Sequence, residues 1–159
     1  MLWAKYYALP GDDEAWGATL TRDGHLALCG TTTADVAAPP YGTPDAYNDI
    51  KNLGTEGLLM KVSSADGSLL WATAFVSGRG ITVATVTEGA DGSLFVAGRI
   101  HLIVTDPFPA IFVGKFKSDG TLVDHVTIGD DPDWTDELPT GGTSPYDLAT
   151  RLRWTPEGL

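Results

Sequence analysis

Apolar and polar residues alternate along this chain with a period of two, in short runs broken by turn signals. Such alternation places successive side chains on opposite faces of an extended strand. Ten runs carry it, and they predict strands near 2–8, 15–21, 25–31, 57–63, 69–76, 81–87, 93–99, 110–116, 121–128 and 147–154. No run follows the 3.6-residue period of an amphipathic helix. The tight connections are Arg22-Asp23-Gly24, Ala65-Asp66-Gly67, Ala90-Asp91-Gly92, Ser118-Asp119-Gly120 and Pro156-Glu157-Gly158. Each predicts a β-hairpin turn, because glycine accepts the positive φ such a turn needs.

The pattern repeats. The turns at Asp23, Asp91 and Glu157 lie 68 and 66 residues apart, and their flanks recur with them. Trp3-Ala4-Lys5-Tyr6 matches Trp71-Ala72-Thr73-Ala74, and Ala18-Thr19-Leu20-Thr21 matches Ala84-Thr85-Val86-Thr87 and Ala149-Thr150-Arg151-Leu152. His25-Leu26-Ala27-Leu28-Cys29-Gly30 matches Ser93-Leu94-Phe95-Val96-Ala97-Gly98. Leu58-Leu59-Met60-Lys61-Val62 matches Ile111-Phe112-Val113 and Lys115-Phe116, with one glycine between. A repeated unit of this size cannot bury its apolar face alone and stacks on its neighbours. Four meander-connected strands per unit predict all-β, propeller-type blades.

The order Trp-Ala-x-Tyr, Gly-Asp-Asp, Asp-Gly-x-Leu-x-Leu-x-Gly-Thr-Thr, apolar-Lys-apolar and Asp-Gly resembles the bacterial β-propeller repeat family known as SBBP, or seven-bladed β-propeller repeats. Thr43-Pro44-Asp45-Ala46-Tyr47 resembles the Pro-and-aromatic segment in that repeat's long loop. The resemblance covers residues 1–128, with a weaker half-copy at 146–159. Asp124-His125 departs from it, standing where the other copies have Trp-Ala. The resemblance implies a propeller fold and an exported or cell-surface location.

On this reading 14–76 and 81–128 are complete blades, 2–8 is the outer strand of a preceding blade, and 146–159 begins a further one. That makes about two and a half blades, whereas closed propellers use about four to eight. The expectation is a single propeller domain belonging to a larger propeller or closed by copies of itself, with a compact sandwich as the alternative. Strand parity sets the short Asp-Gly turns on one face. The long loops at 32–56, 100–109 and 129–145 fall on the other, and Trp3, Trp16 and Trp71 are expected to fill the core between blades.

Long loops on a rigid β scaffold are where binding concentrates. The candidate ligand-binding residues are Tyr41, Tyr47, Asp131, Asp133 and Trp134. Their aromatic rings suit protein hot spots, and the same mixture of rings and carboxylates suits a sugar. The expectation is therefore a non-catalytic binding or assembly scaffold whose partner is another protein or copies of itself. The alternatives are a lectin-like carbohydrate binder closed by oligomerisation, and part of a propeller hydrolase or lyase.

Charge narrows the partners. Ten Lys and Arg against 21 Asp and Glu give a net charge of −11, which argues against nucleic acid. The longest apolar runs, such as 100–104, are too short to span a membrane. No cofactor is expected, although Asp130, Asp131, Asp133, Asp136 and Glu137 could supply oxygen ligands to calcium. Asp12, Asp13 and Glu14 are read as the equivalent loop of the previous unit. His25, His101 and His125 have no zinc-ligand spacing. No nucleophile elbow or phosphate loop occurs. Cys29, the sole cysteine, lies in an apolar strand and is expected to be a buried thiol.

Overall fold

A computed structural model describes residues 3–7, 11–33, 55–75, 81–100 and 110–128. They contain eight strands and no helix: β1 (Asp13–Leu20), β2 (Leu26–Thr32), β3 (Glu56–Val62), β4 (Leu69–Phe75), β5 (Ile81–Glu88), β6 (Leu94–Ile100), β7 (Ala110–Phe116) and β8 (Leu122–Ile128). All eight coincide with predicted runs to within two residues. The run at 147–154 lies outside the described residues, whereas residues 3–7 are described and take no strand pairing.

The strands form two four-stranded antiparallel meanders, ordered β1-β2-β3-β4 and β5-β6-β7-β8. This is the blade-type sheet of a propeller. Register matches from one sheet to the other: β1 bulges between Ala15 and Gly17, and β5 bulges between Val83 and Thr85. The bulge explains a correction. Trp16 sits in it, and is exposed rather than part of the core.

One face of the first sheet packs on the second. Ala27, Cys29, Leu59 and Phe75 share a core with Ile81, Val83, Val86, Leu94, Val96, Phe112 and Phe116. Phe75 stacks on Phe112 at 5.7 Å and tilts against Phe116 at 5.1 Å. The opposite face of the first sheet holds a separate cluster of Leu58, Met60, Val62, Ala72 and Ala74, against which Tyr7 packs. Strand β3 is thus buried along its whole length. Its run Leu58-Leu59-Met60 follows from supplying two cores at once.

Polar contacts close the joint between the sheets. The backbone N–H of Arg22 donates to Glu88 Oε2 at 2.7 Å, and the Arg22 guanidinium donates to the carbonyl of Ala90. The N–H of Ile81 donates to the carbonyl of Thr55 at 2.9 Å. Trp71 lies over the β7–β8 turn, its indole N–H donating to the carbonyl of Ser118 at 3.0 Å. Its ring occupies the space that a Cβ on Gly120 would fill. Thr73 adds a hydroxyl donated to the carbonyl of Gly120 at 3.1 Å.

Candidate functional site

Adjacent strands run antiparallel, so each sheet has a turn end and a loop end. The β1–β2, β3–β4, β5–β6 and β7–β8 connections lie at the turn end, and the 33–55 and 101–109 connections leave from the other. The two ends differ in the length of their connections.

At the turn end every aspartate is committed to its own turn. Asp23 accepts from Lys61 Nζ at 2.6 Å and from the Thr21 hydroxyl at 2.6 Å. These bonds, that of Lys61 foremost, hold its carboxyl at about 2. Asp66 accepts the backbone N–H of Ser68 at 3.0 Å, and Asp91 that of Ser93 at 3.0 Å. Both carboxyls are held at about 2, chiefly by those backbone donors, with Lys115 helping at Asp91. Asp119 is lowered in the same way by the N–H of Thr121 at 3.0 Å. Carboxylates used as turn acceptors are structural groups.

Buried polar side chains occur at both ends: Thr21, Lys61 and Ser63 at the turn end, and Thr31, Thr32 and Glu56 at the loop end. Thr32 at the end of β2 pairs with Glu56 at the start of β3, and both are buried together with Thr31. In the second sheet Arg99, near the end of β6, has a buried Nε with no hydrogen-bond partner among the described residues. Polar groups are costly to bury, and at the loop end Thr32 and Glu56 sit opposite each other where β2 and β3 meet the long connection. Sequence reasoning missed Glu56 and Arg99. Each stands beside an apolar run, and nothing in the local pattern separates a buried charge from an exposed one there.

Tyr41, Tyr47, Asp131, Asp133 and Trp134 lie outside the described residues, as does the remainder of the acidic loop. One acidic group requires correction. Asp13 and Glu14 belong to β1, opposite Thr32 and Thr31, and do not form a loop. Asp12 precedes that strand, with its N–H donating to Thr33 Oγ1 at 2.8 Å and its carbonyl accepting from the N–H of Thr33 at 3.1 Å. The fraying-prone start of β1 is thereby pinned to the end of β2. No metal-binding cluster of three or more ligands occurs among the described residues. No helix among them is long and apolar enough to cross a membrane.

Cys29 is buried between the sheets, and burial pushes its thiol up to about 12. A thiol so protonated is a packing group rather than a nucleophile. Comparison with protein-family models and with curated proteins finds no match to this chain.

Proposed function

We propose that this chain is a non-catalytic binding or assembly scaffold of propeller-type repeats, which presents its loop end to a protein partner. One observation carries the reading: short Asp-Gly turns join the strands at one end of the sheets, and the long 33–55 and 101–109 connections join them at the other. The turn-end aspartates are consumed by their own backbone turns. The 33–55 and 101–109 connections leave from the opposite end. A rigid pair of sheets carrying long loops suits recognition by several weakly constrained side chains. The repeat-family resemblance and an exported location belong to the same proposal.

The test compares the intact chain with a Tyr47→Ala/Trp134→Ala variant for retention of proteins from the source cells. The scaffold reading expects a partner held by the intact chain and lost by the variant, with melting unchanged. Retention by both moves recognition off the loops. Binding on a glycan array, with no protein retained, assigns the lectin alternative. Turnover of a polysaccharide that is abolished by Asp131→Asn/Asp133→Asn assigns the hydrolase or lyase alternative. Melting raised by calcium and unmoved by magnesium assigns a cation site to the acidic loop.

A further inference from the structure

Asp-Gly pairs stand at Asp23, Asp66, Asp91 and Asp119, each in a hairpin turn. Asp-Gly is the aspartyl sequence most open to isomerisation, because glycine has no side chain to block attack of its own backbone nitrogen on the neighbouring carboxyl carbon. The attack requires the carboxyl to leave its donors and the Asp–Gly peptide unit to swing toward it. All four turns resist in one basic way. The glycine N–H donates to a backbone carbonyl, at 2.8 Å for Gly24 and Gly67, 3.1 Å for Gly92 and 3.0 Å for Gly120. A carboxyl oxygen accepts the N–H two residues further on. The carboxyls of Asp23, Asp66 and Asp91 are all held at about 2, so ionisation does not rank these turns. Packing does. Trp3 covers Gly67, where a Cβ would lie 2.7 Å from its Cε3, and the Tyr7 hydroxyl donates to the Gly67 carbonyl. Trp71 covers Gly120 in the same way at 2.8 Å, and the Thr73 hydroxyl donates to the Gly120 carbonyl at 3.1 Å. Gly24 is uncovered, but the Asp23 carboxyl is gripped by the buried Lys61 at 2.6 Å and by the Thr21 hydroxyl at 2.6 Å. Asp91–Gly92 has neither clamp. A Cβ on Gly92 meets nothing within 4 Å among the described residues, and the lysine on Asp91, Lys115 at 3.0 Å, is partly exposed. Its Ser93 hydroxyl, at 3.0 Å, has a counterpart in Ser68 on Asp66 at 2.8 Å. The Arg22 guanidinium holds the carbonyl of Ala90, which belongs to the peptide unit before the one that would react.

We propose that Asp91–Gly92 is a site of spontaneous covalent modification in the folded chain, the one of the four Asp-Gly turns at which isoaspartate forms. The Gly92 nitrogen bonds to the Asp91 carboxyl carbon, and a protonated carboxyl oxygen leaves as water with the proton of the Gly92 N–H. The product is a cyclic imide, which water then opens. Opening at the former carboxyl carbon restores aspartate. Opening at the Asp91 main-chain carbonyl leaves a free α-carboxylate and a chain that runs through the side chain, one methylene longer. No oxidant or cofactor is consumed. The first step proceeds from an opened turn, so its rate follows the population in which Lys115, Ser93 and Gly89 have released their bonds. The added methylene removes the Gly92-to-Gly89 and Ser93-to-Asp91 bonds, next to the Ala90 carbonyl that Arg22 holds across the joint between sheets. This site lies at the turn end and is independent of the function proposed for the loops.

Peptide mapping of the full chain, aged near neutral pH in heavy-oxygen water, tests the proposal. Each ring opening installs one heavy oxygen, and isoaspartate resists a protease that cuts before aspartate. Label is expected to enter the Asp91 peptide at least about fivefold faster than the Asp23, Asp66 or Asp119 peptides. In chain unfolded by urea the four rates should converge, which assigns the ranking to the fold. Lys115→Ala is expected to speed labelling at Asp91 about threefold relative to Asp66. Trp71→Ala is expected to raise the rate at Asp119 relative to Asp66, whose own indole is untouched. Reading both variants against Asp66 keeps a general loss of stability from imitating either effect. Equal rates at the four turns of the folded protein, or a faster rate at Asp23, Asp66 or Asp119, overturn the proposal. So does the same ranking in urea, which would assign it to the flanking sequence alone.

Discussion

Asp23 and Asp91 occupy matching turns, and each receives a lysine from the third strand of its sheet, yet the two ion pairs differ in setting. Lys61 meets Asp23 at 2.6 Å with only 6% of its side chain exposed, whereas Lys115 meets Asp91 at 3.0 Å with 37% exposed. Lys115 also lies over the Phe95 ring, 5.4 Å from its centroid. Burial of the Lys61 stem makes it a packing residue as well as a charge. Lys61→Ala is therefore expected to cost about 2–3 kcal/mol in urea unfolding, and Lys115→Ala at most about 1 kcal/mol. Equal costs would sink this ranking. The pH dependence follows from the same pair. Asp23 is held at about 2 against an ordinary 3.8, so its contribution is complete above pH 3.8 and is lost as pH falls toward 2. Asp23 is half exposed, and solvent screening reduces the stake to roughly 1 kcal/mol. Asp23→Asn should flatten the loss of stability across that window. An unchanged loss would assign it to other carboxylates.

Strands here are fixed by alternation and by the turns between them, and the joint between sheets by a tryptophan lying on a turn glycine. Gly24 and Gly120 separate the two requirements. Both take positive φ, +82° and +91°, but a Cβ on Gly24 meets nothing within 4 Å, while one on Gly120 meets the Trp71 ring at 2.8 Å. Gly24→Ala should cost about 1 kcal/mol, the penalty of a left-handed backbone alone. Gly120→Ala should cost about 2–3 kcal/mol, because the indole must also move. In a Trp71→Ala background the Gly120→Ala cost should fall to that of Gly24→Ala, which a double-mutant cycle by chemical denaturation measures. Additivity would show that the ring and the turn do not couple. The eight strands were legible because period-two alternation and Asp-Gly turns act locally. Trp16 was misplaced because a bulge shifts register by one residue, and a single-residue shift leaves no mark in the apolar pattern. The segment at 3–7 carries a strand's alternation without a paired neighbour among the described residues, and pairing is not a local property. The loop-end residues Glu56 and Arg99 were illegible for a related reason: their burial depends on chain distant in sequence.

At the scale of the whole molecule, the first sheet is held on both faces, and the second shares one of those cores. The strength of the joint between them decides whether the described strands open as one unit. Cys29 reports on that joint. Its thiol is buried at the sheet interface, and a Cβ on Gly17 would lie 2.8 Å from its Sγ and 3.0 Å from the Cα of Thr85 on the second sheet. No reagent reaches the sulfur while β1 and β5 stay packed. Burial has also pushed the thiol up to about 12, so little thiolate exists near neutral pH even where a reagent does reach it. Native protein should therefore react with an aromatic disulfide reagent only through opening, at a rate set by the open population. That rate should rise with urea in step with global unfolding followed by circular dichroism. Weakening the interface by Glu88→Ala, which removes the acceptor of the Arg22 N–H, should cost about 1 kcal/mol. The thiol rate should then increase about fivefold. Fast labelling in water, with a urea dependence much shallower than that of unfolding, would mean that the sheets part without unfolding, and the two-sheet core would not be one cooperative unit.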